Sequence, residues 1–225
     1  MTFASNLSLA LNFFLVGIMC IKQNPLPKNK PTWVDSVVVD TVIIHDTIVD
    51  VNGKTALFIG DSHTSNHTSG WQTIVSKKTK MRSNNVSVSG KTTYWMLDVA
   101  LYSIHRNIDY CFIYGGANDM YTSSITPEEA VNNIKGIVKM CKGNGVHAIV
   151  LTGFNPTNTQ TPNPNYISKY IKFQQLLLKG IDGATVIDTR VVPKSDCWDG
   201  LCHMTPSGHR KIADCVIKKM KFKTY

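Results

Sequence analysis

Five short strand-like runs alternate with helix-like segments from residue 55 to the C-terminal region, and this alternation constrains the fold more than any other feature. The runs are Thr55–Ile59, Val86–Val88, Tyr110–Tyr114, His147–Leu151 and Ala184–Ile187. The helix-like segments are 71–79, 94–105, one beginning at Thr126-Pro127-Glu128-Glu129, 166–178 and 206–220. At 126–129 a threonine cap, a proline in the first turn and two acids match the positive end of a helix. Thr205 is a second candidate cap. Strands that alternate with helices predict an α/β fold, a parallel sheet covered on both faces. Ligands of such sheets bind beyond the carboxyl ends of the strands. Ser62, Gly90, Asn118 and Asn155 all follow a predicted strand end, so topology and chemistry meet on one edge.

Upstream of this domain, predicted to span 54–225, the sequence changes character twice. Residues 1–22 form a hydrophobic segment whose run from Leu7 to Ile21 is interrupted only by Ser8 and Asn12. Fifteen residues fall short of the roughly 20 that span a bilayer as a helix. No Lys or Arg precedes the run, so it lacks the positively charged n-region of a secretory signal. It reads as a membrane anchor or an uncleaved signal, which places the protein at a membrane or outside the cell. The alternative is a helix docked on a partner. Residues 23–53 read as a Pro/Lys/Asn linker followed by a β-prone stalk, in which Asp-Ser/Thr-Val/Ile recurs at 35, 40 and 46. The stretch 34–50 is a candidate oligomerising strand, because a long apolar strand without a partner invites aggregation.

An apolar fraction of 43% excludes a mainly disordered chain. The formal charge of +9 is carried by the part after residue 50, since residues 1–50 hold three Lys and four Asp. Much of it clusters at Arg210, Lys211, Lys218, Lys219, Lys221 and Lys223. Phe222 is the single aromatic residue among these cations, so they read as a solvated helix face and no nucleic-acid partner is expected. Six cysteines, at 20, 111, 141, 197, 202 and 215, match no zinc spacing, and no metal or cofactor is expected. Cys111 and Cys141 read as buried thiols. Cys197 and Cys202 bracket Asp199 and are a candidate disulfide, which an oxidising compartment would permit.

Three separated stretches supply complementary chemistry: Gly60-Asp61-Ser62-His63, Gly115-Gly116-Ala117-Asn118-Asp119 and Asp199-Gly200-Leu201-Cys202-His203. They offer a hydroxyl, a carboxamide, an imidazole and a carboxylate, the set used in serine-based acyl transfer. Ser62 is the candidate nucleophile, His203 the general base and Asp199 its carboxylate partner. The oxyanion donors expected are the backbone N–H groups of Ser62 and Gly90 and the amide of Asn118. Glycine at 90 would leave room for close approach of substrate. Asp61, His63 and Asn155 are candidate substrate contacts. His67, His105, His147 and His209 read as structural or surface residues. Trp71, Tyr94, Trp95 and Trp198 could stack on sugar rings or pack in the core.

These blocks resemble the SGNH, or GDSL-type, hydrolase family over about residues 54–221. The matching residues are Gly60-Asp61-Ser62, Gly90, Gly116-Ala117-Asn118-Asp119 and Asp199 with His203, followed by Thr205-Pro206-Ser207-Gly208-His209. The resemblance implies a flavodoxin-like three-layer α/β/α sandwich with a five-stranded parallel sheet. It also implies hydrolysis of an ester, with a small-molecule or glycan ester as substrate. One departure stands out. The family places its aspartate three residues before the histidine, whereas Asp199 lies four before His203, which leaves Asp196 as a second candidate acid. The same fold would also suit a binding module that has lost catalysis, or an acyltransferase in which a sugar hydroxyl replaces water.

Overall fold

The computed structural model describes residues 47–65, 69–122, 125–158, 163–199 and 203–225. The apolar segment at 3–21 and nearly all of the linker and stalk lie outside the described residues. Among the described residues, no helix is long and apolar enough to cross a membrane.

One sheet organises the domain. Its strands are β1 (Thr55–Gly60), β2 (Arg82–Asn85), β3 (Tyr110–Tyr114), β4 (His147–Leu151) and β5 (Ala184–Ile187). They lie in the order β2-β1-β3-β4-β5, every pair parallel. The central strands β1, β3 and β4 are buried from their second residue onward. Burial on both faces is why they read as continuous apolar runs. The helices are α1 (Trp71–Thr79), α2 (Thr93–Ser103), α3 (Ala117–Thr122), α4 (Pro127–Asn144), α5 (Pro164–Leu178) and α6 (Pro206–Met220). α1 packs with α6, and α2, α4 and α5 pack in succession. The two groups give the expected three-layer α/β/α sandwich. Phe112 at the sheet centre stacks on Phe58 at 4.8 Å and meets the edge of Trp71 at 6.0 Å.

Local chemistry fixes the helix ends. Thr126 and Glu129 form a reciprocal capping box at the start of α4, and Gly145 closes that helix with φ +73°. The Thr205 hydroxyl accepts the Gly208 N–H at the start of α6.

Three features differ from the sequence reading. β2 lies at Arg82–Asn85 instead of 86–88. It is an edge strand held through its backbone, and its side chains are largely exposed. The valines still extend the ladder, since Val86 N–H donates to Phe58 O and Val88 N–H to Gly60 O. α3 is a helix where the sequence shows no helix-like segment. The domain also gathers in residues before 54: Val51 is fully buried, and Val49 bridges to Phe222 in parallel.

Candidate active site

Ser62 sits in the turn that follows β1. The turn is tight because the N–H groups of Thr64 and Ser65 both donate to Asp61 O, at 3.0 and 2.8 Å. It also needs glycine at 60, where a Cβ would lie 2.3 Å from the Tyr114 carbonyl oxygen. His203 comes from the other end of the chain, in the loop before α6. That loop folds back on itself: Cys197 bridges Met204 in antiparallel fashion, Trp198 N–H donates to His203 O, and Thr205 N–H donates to Asp196 O.

Folding brings these segments together. His203 Nε2 lies 2.7 Å from Ser62 Oγ. On its other side, Nδ1 pairs with Asp199 Oδ2, and the His203 backbone N–H donates to Asp199 Oδ1 at 2.9 Å. One carboxylate therefore fixes both the ring and the backbone of His203, and the four-residue spacing still brings Asp199 to the imidazole. Asp196 takes no part in this relay. It pairs with Lys211 and accepts from Thr205 and Ser207, and the Lys211 ammonium holds its carboxyl below the ordinary value.

Asn118 lies in the first turn of α3, which starts after Gly116. The φ of +104° at Gly116, with the Phe173 ring 2.5 Å from where a Cβ would be, demands glycine there. The Asn118 amide donates to Lys91 O at 3.0 Å and faces Asp61 Oδ2 at 3.4 Å. Next to it, buried Asp119 accepts the N–H and the hydroxyl of Thr93. Burial raises the Asp119 carboxyl above its ordinary value, and the Thr93 bonds draw it back. α3 thus clamps the 91–93 segment that follows Gly90. Gly90 itself is exposed with φ +76°, and a Cβ there would meet nothing within 4 Å. The backbone conformation, rather than crowding in the described structure, accounts for glycine at this position.

Two of the expected substrate contacts lie away from the cavity surface. Asp61 is fully buried. It accepts from the backbone N–H of His63 and pairs with its Nδ1, each at 3.0 Å. Asn155 does not line the cavity at Ser62. Its carboxamide oxygen accepts the N–H and hydroxyl of Thr157, and the residue borders a separate depression with Pro156 and Arg190.

The cavity at Ser62 measures about 350 Å³ and is lined by Ser62, His63, Ser69, Ser89, Trp198, His203, Met204, Pro206 and His209. Ser69, Ser89, Met204, Pro206 and His209 were not singled out from the sequence as site residues. Of these only His209, six positions after His203 in the first turns of α6, carried a signal of its own. Its Nδ1 accepts the Trp71 N–H at 3.3 Å. Trp198 is 63% exposed at 5.4 Å from the His203 ring, whereas Trp71 is buried in the core. Cys197 is disulfide-bonded, Cys111 and Cys141 are buried thiols, and the proposed partner Cys202 lies outside the described residues. Among the described residues, no cluster of His, Cys, Asp or Glu could hold a metal ion.

Comparison with known proteins bears on the family and the fold. Residues 58–211 match the model of the GDSL-like Lipase/Acylhydrolase family. No curated protein sequence matches the chain. Among solved structures, the acetylxylan esterase Axe2 from Geobacillus stearothermophilus superposes with a TM-score of 0.60 at 16% identity, covering 78% of this chain and 98% of that one. Structures of its catalytic mutants replace a serine, a histidine and an aspartate. A lipolytic G-D-S-L family member from Veillonella parvula gives 0.58 at 13% identity, covering 74% and 97%. LAE5, an alpha/beta hydrolase from the metagenome of Lake Arreo, gives 0.58 at 17% identity, covering 76% and 96%.

Proposed function

Because the chain belongs to the GDSL-like lipase/acylhydrolase family, we propose that it is a serine esterase that removes a short acyl group, with a glycan ester as the favoured substrate class. The observation that carries this reading is the relay Ser62–His203–Asp199, with Nε2 at 2.7 Å from the serine oxygen. A serine hydroxyl becomes a useful nucleophile only when a base takes its proton. Ser62 Oγ attacks the ester carbonyl as its proton passes to His203 Nε2. The ester C–O bond then breaks, and His203 returns the proton to the leaving alcohol. Asp199 holds the tautomer that leaves Nε2 free to accept, and it stabilises the imidazolium. The N–H groups of Ser62 and Gly90 and the Asn118 amide receive the negative charge on the carbonyl oxygen. Water then attacks the acyl-enzyme, with His203 again as base.

The substrate class follows from what surrounds His203. The leaving alcohol must sit beside the group that protonates it, and exposed Trp198 stands there. A flat aromatic face with a polar rim suits a sugar ring. Ser69 and Ser89 line a cavity of about 350 Å³, which suits a short acyl group better than a long apolar chain. The test is hydrolysis of p-nitrophenyl esters of increasing chain length and of acetylated sugars, with Ser62→Ala as control. Turnover that falls with chain length and vanishes in the control supports the reading. Absence of both turnover and fluorophosphonate labelling would favour a module that binds without catalysis.

A further inference from the structure

His203 touches two other rings, and only one of them is fixed. Trp198 lies largely in solvent. His63, whose ring centroid is 5.2 Å from that of His203 with the planes 23° apart, is 2% exposed. Its Nδ1 and backbone N–H both meet Asp61 Oδ1 at 3.0 Å. Its carbonyl oxygen accepts the Trp71 indole N–H at 3.1 Å. Its ring also stacks on Phe154 at 5.0 Å and on Tyr114 at 5.5 Å. The relay of Ser62, His203 and Asp199 is complete without this second carboxylate–imidazole pair, so a ring held this firmly calls for another explanation.

We propose that His63 is a positioning residue for His203: its ring, locked by Asp61, backs the His203 imidazole and stabilises the imidazolium formed when the serine proton is taken. The proposal rests on the hydrolase reading above. A neutral imidazole that donates Nδ1–H to a buried carboxylate is fixed in tautomer and enriched in electron density. An aromatic face within about 6 Å of a cation attracts it. His203 carries that charge only after proton transfer, so the contact strengthens on the way to the transition state. The other groups that face the pair are phenols and acids. Tyr114 of β3 and Tyr166 and Tyr170 of α5 are phenols whose ionisation burial pushes well up, so they stay uncharged. Asp61, Asp119 and Asp199 are the nearby acids, and His209 of α6 bonds to the Trp71 backbone.

The test is the rate of Ser62 labelling by a fluorophosphonate across pH, for wild type, His63→Leu and His63→Phe, with folding checked by near-UV circular dichroism. A cation–π contact of ordinary strength corresponds to about half a pH unit. His63→Leu is expected to move the acid limb of the profile down by that amount, and His63→Phe, which restores an aromatic face, to move it back. If His63→Leu does not fold, His63→Gln is read in the same way. An unmoved limb, or a phenylalanine variant that behaves like leucine, overturns the proposal while leaving the hydrolase reading intact. An upward shift also overturns it, since the ring would then not be stabilising the imidazolium. A wild-type protein that the reagent does not label at all refutes the hydrolase reading, and the proposal falls with it.

Discussion

Replacement of Asp199 tests the proposed relay most directly, because the structure predicts the order of its variants as well as their direction. Asp199 accepts from His203 at both Nδ1 and the backbone N–H. In Asp199→Asn the carboxamide oxygen can still take the backbone N–H. Its NH₂ group then faces Nδ1 and favours the tautomer with the proton on Nε2. That tautomer points an N–H at Ser62 and can no longer accept the serine proton. Loss of the tautomer costs about 10⁴ in kcat, or about 5 kcal/mol of barrier. KM should change little, because the carboxylate does not face the substrate. Asp199→Ala is expected to be milder. The side chains of the pair are a quarter exposed, so water can enter and accept from Nδ1 without imposing the wrong tautomer. Asp196→Asn is expected to keep kcat within about threefold, as Asp196 bonds Lys211, Thr205 and Ser207 and not His203. Initial rates on p-nitrophenyl acetate, with melting curves for each variant, decide the matter. A kcat for Asp199→Asn above about one hundredth of wild type, or a larger loss in Asp196→Asn, would refute this assignment of the acid.

Three other perturbations probe separate parts of the structure. Asn118→Ala removes one oxyanion donor and should lower kcat by about 10²–10³ while KM for a small ester stays near wild type, as measured by steady-state kinetics. The Asp196 carboxyl is held below its ordinary 3.8, first by the Lys211 hydrogen bond, so its contribution to stability is present above that pH and is lost as pH falls through the folded value. Urea midpoints between pH 5 and 3 should therefore fall more steeply for wild type than for Asp196→Asn. Thr126→Ala breaks the capping box of α4 and should destabilise the domain by about 1 kcal/mol in denaturant titration, with activity unchanged.

The parts of the fold that could be read from sequence are those whose side chains report their burial. β1, β3 and β4 are buried on both faces, so each is a run of apolar residues that few other structures tolerate. The N-termini of α4 and α6 were visible because Thr126 and Thr205 do local chemistry with residues three positions on. β2 was displaced because Arg82-Ser83-Asn84-Asn85 pairs with β1 through its backbone and is held by polar side chains, Arg82 donating to Thr55 Oγ1 and Asn85 to Thr64 O, and no apolar side chain announces a strand. α3 was hidden for a related reason. Asn118 and Asp119 prefer turns in isolation, and the helix is stabilised by contacts with Thr93 and Lys91, some 26 residues away in sequence. Asn155 shows the limit of reasoning from strand ends. It does follow β4, but its side chain closes its own loop on Thr157 and never reaches the cavity at Ser62.

Asp61 illustrates a different limit. Its place before the candidate nucleophile suggested a substrate contact, yet it is fully buried. Burying a carboxylate is expensive unless hydrogen bonds compensate it. The donors that do so here come from His63 and, more loosely, from Asn118. Asp119 repeats the pattern one residue beyond Asn118, where it collects the N–H and hydroxyl of Thr93. Two buried acids thus tie together the turn after β1, the first turn of α3 and the segment after Gly90. These are the three pieces that carry the serine and the proposed oxyanion donors. The Asn118 amide already donates to Lys91 O and Asp61 Oδ2, so one of these bonds gives way when the amide turns to charge on the substrate. The burial of Asp61 and Asp119 is therefore better explained by the geometry they impose on their neighbours than by contact with a ligand.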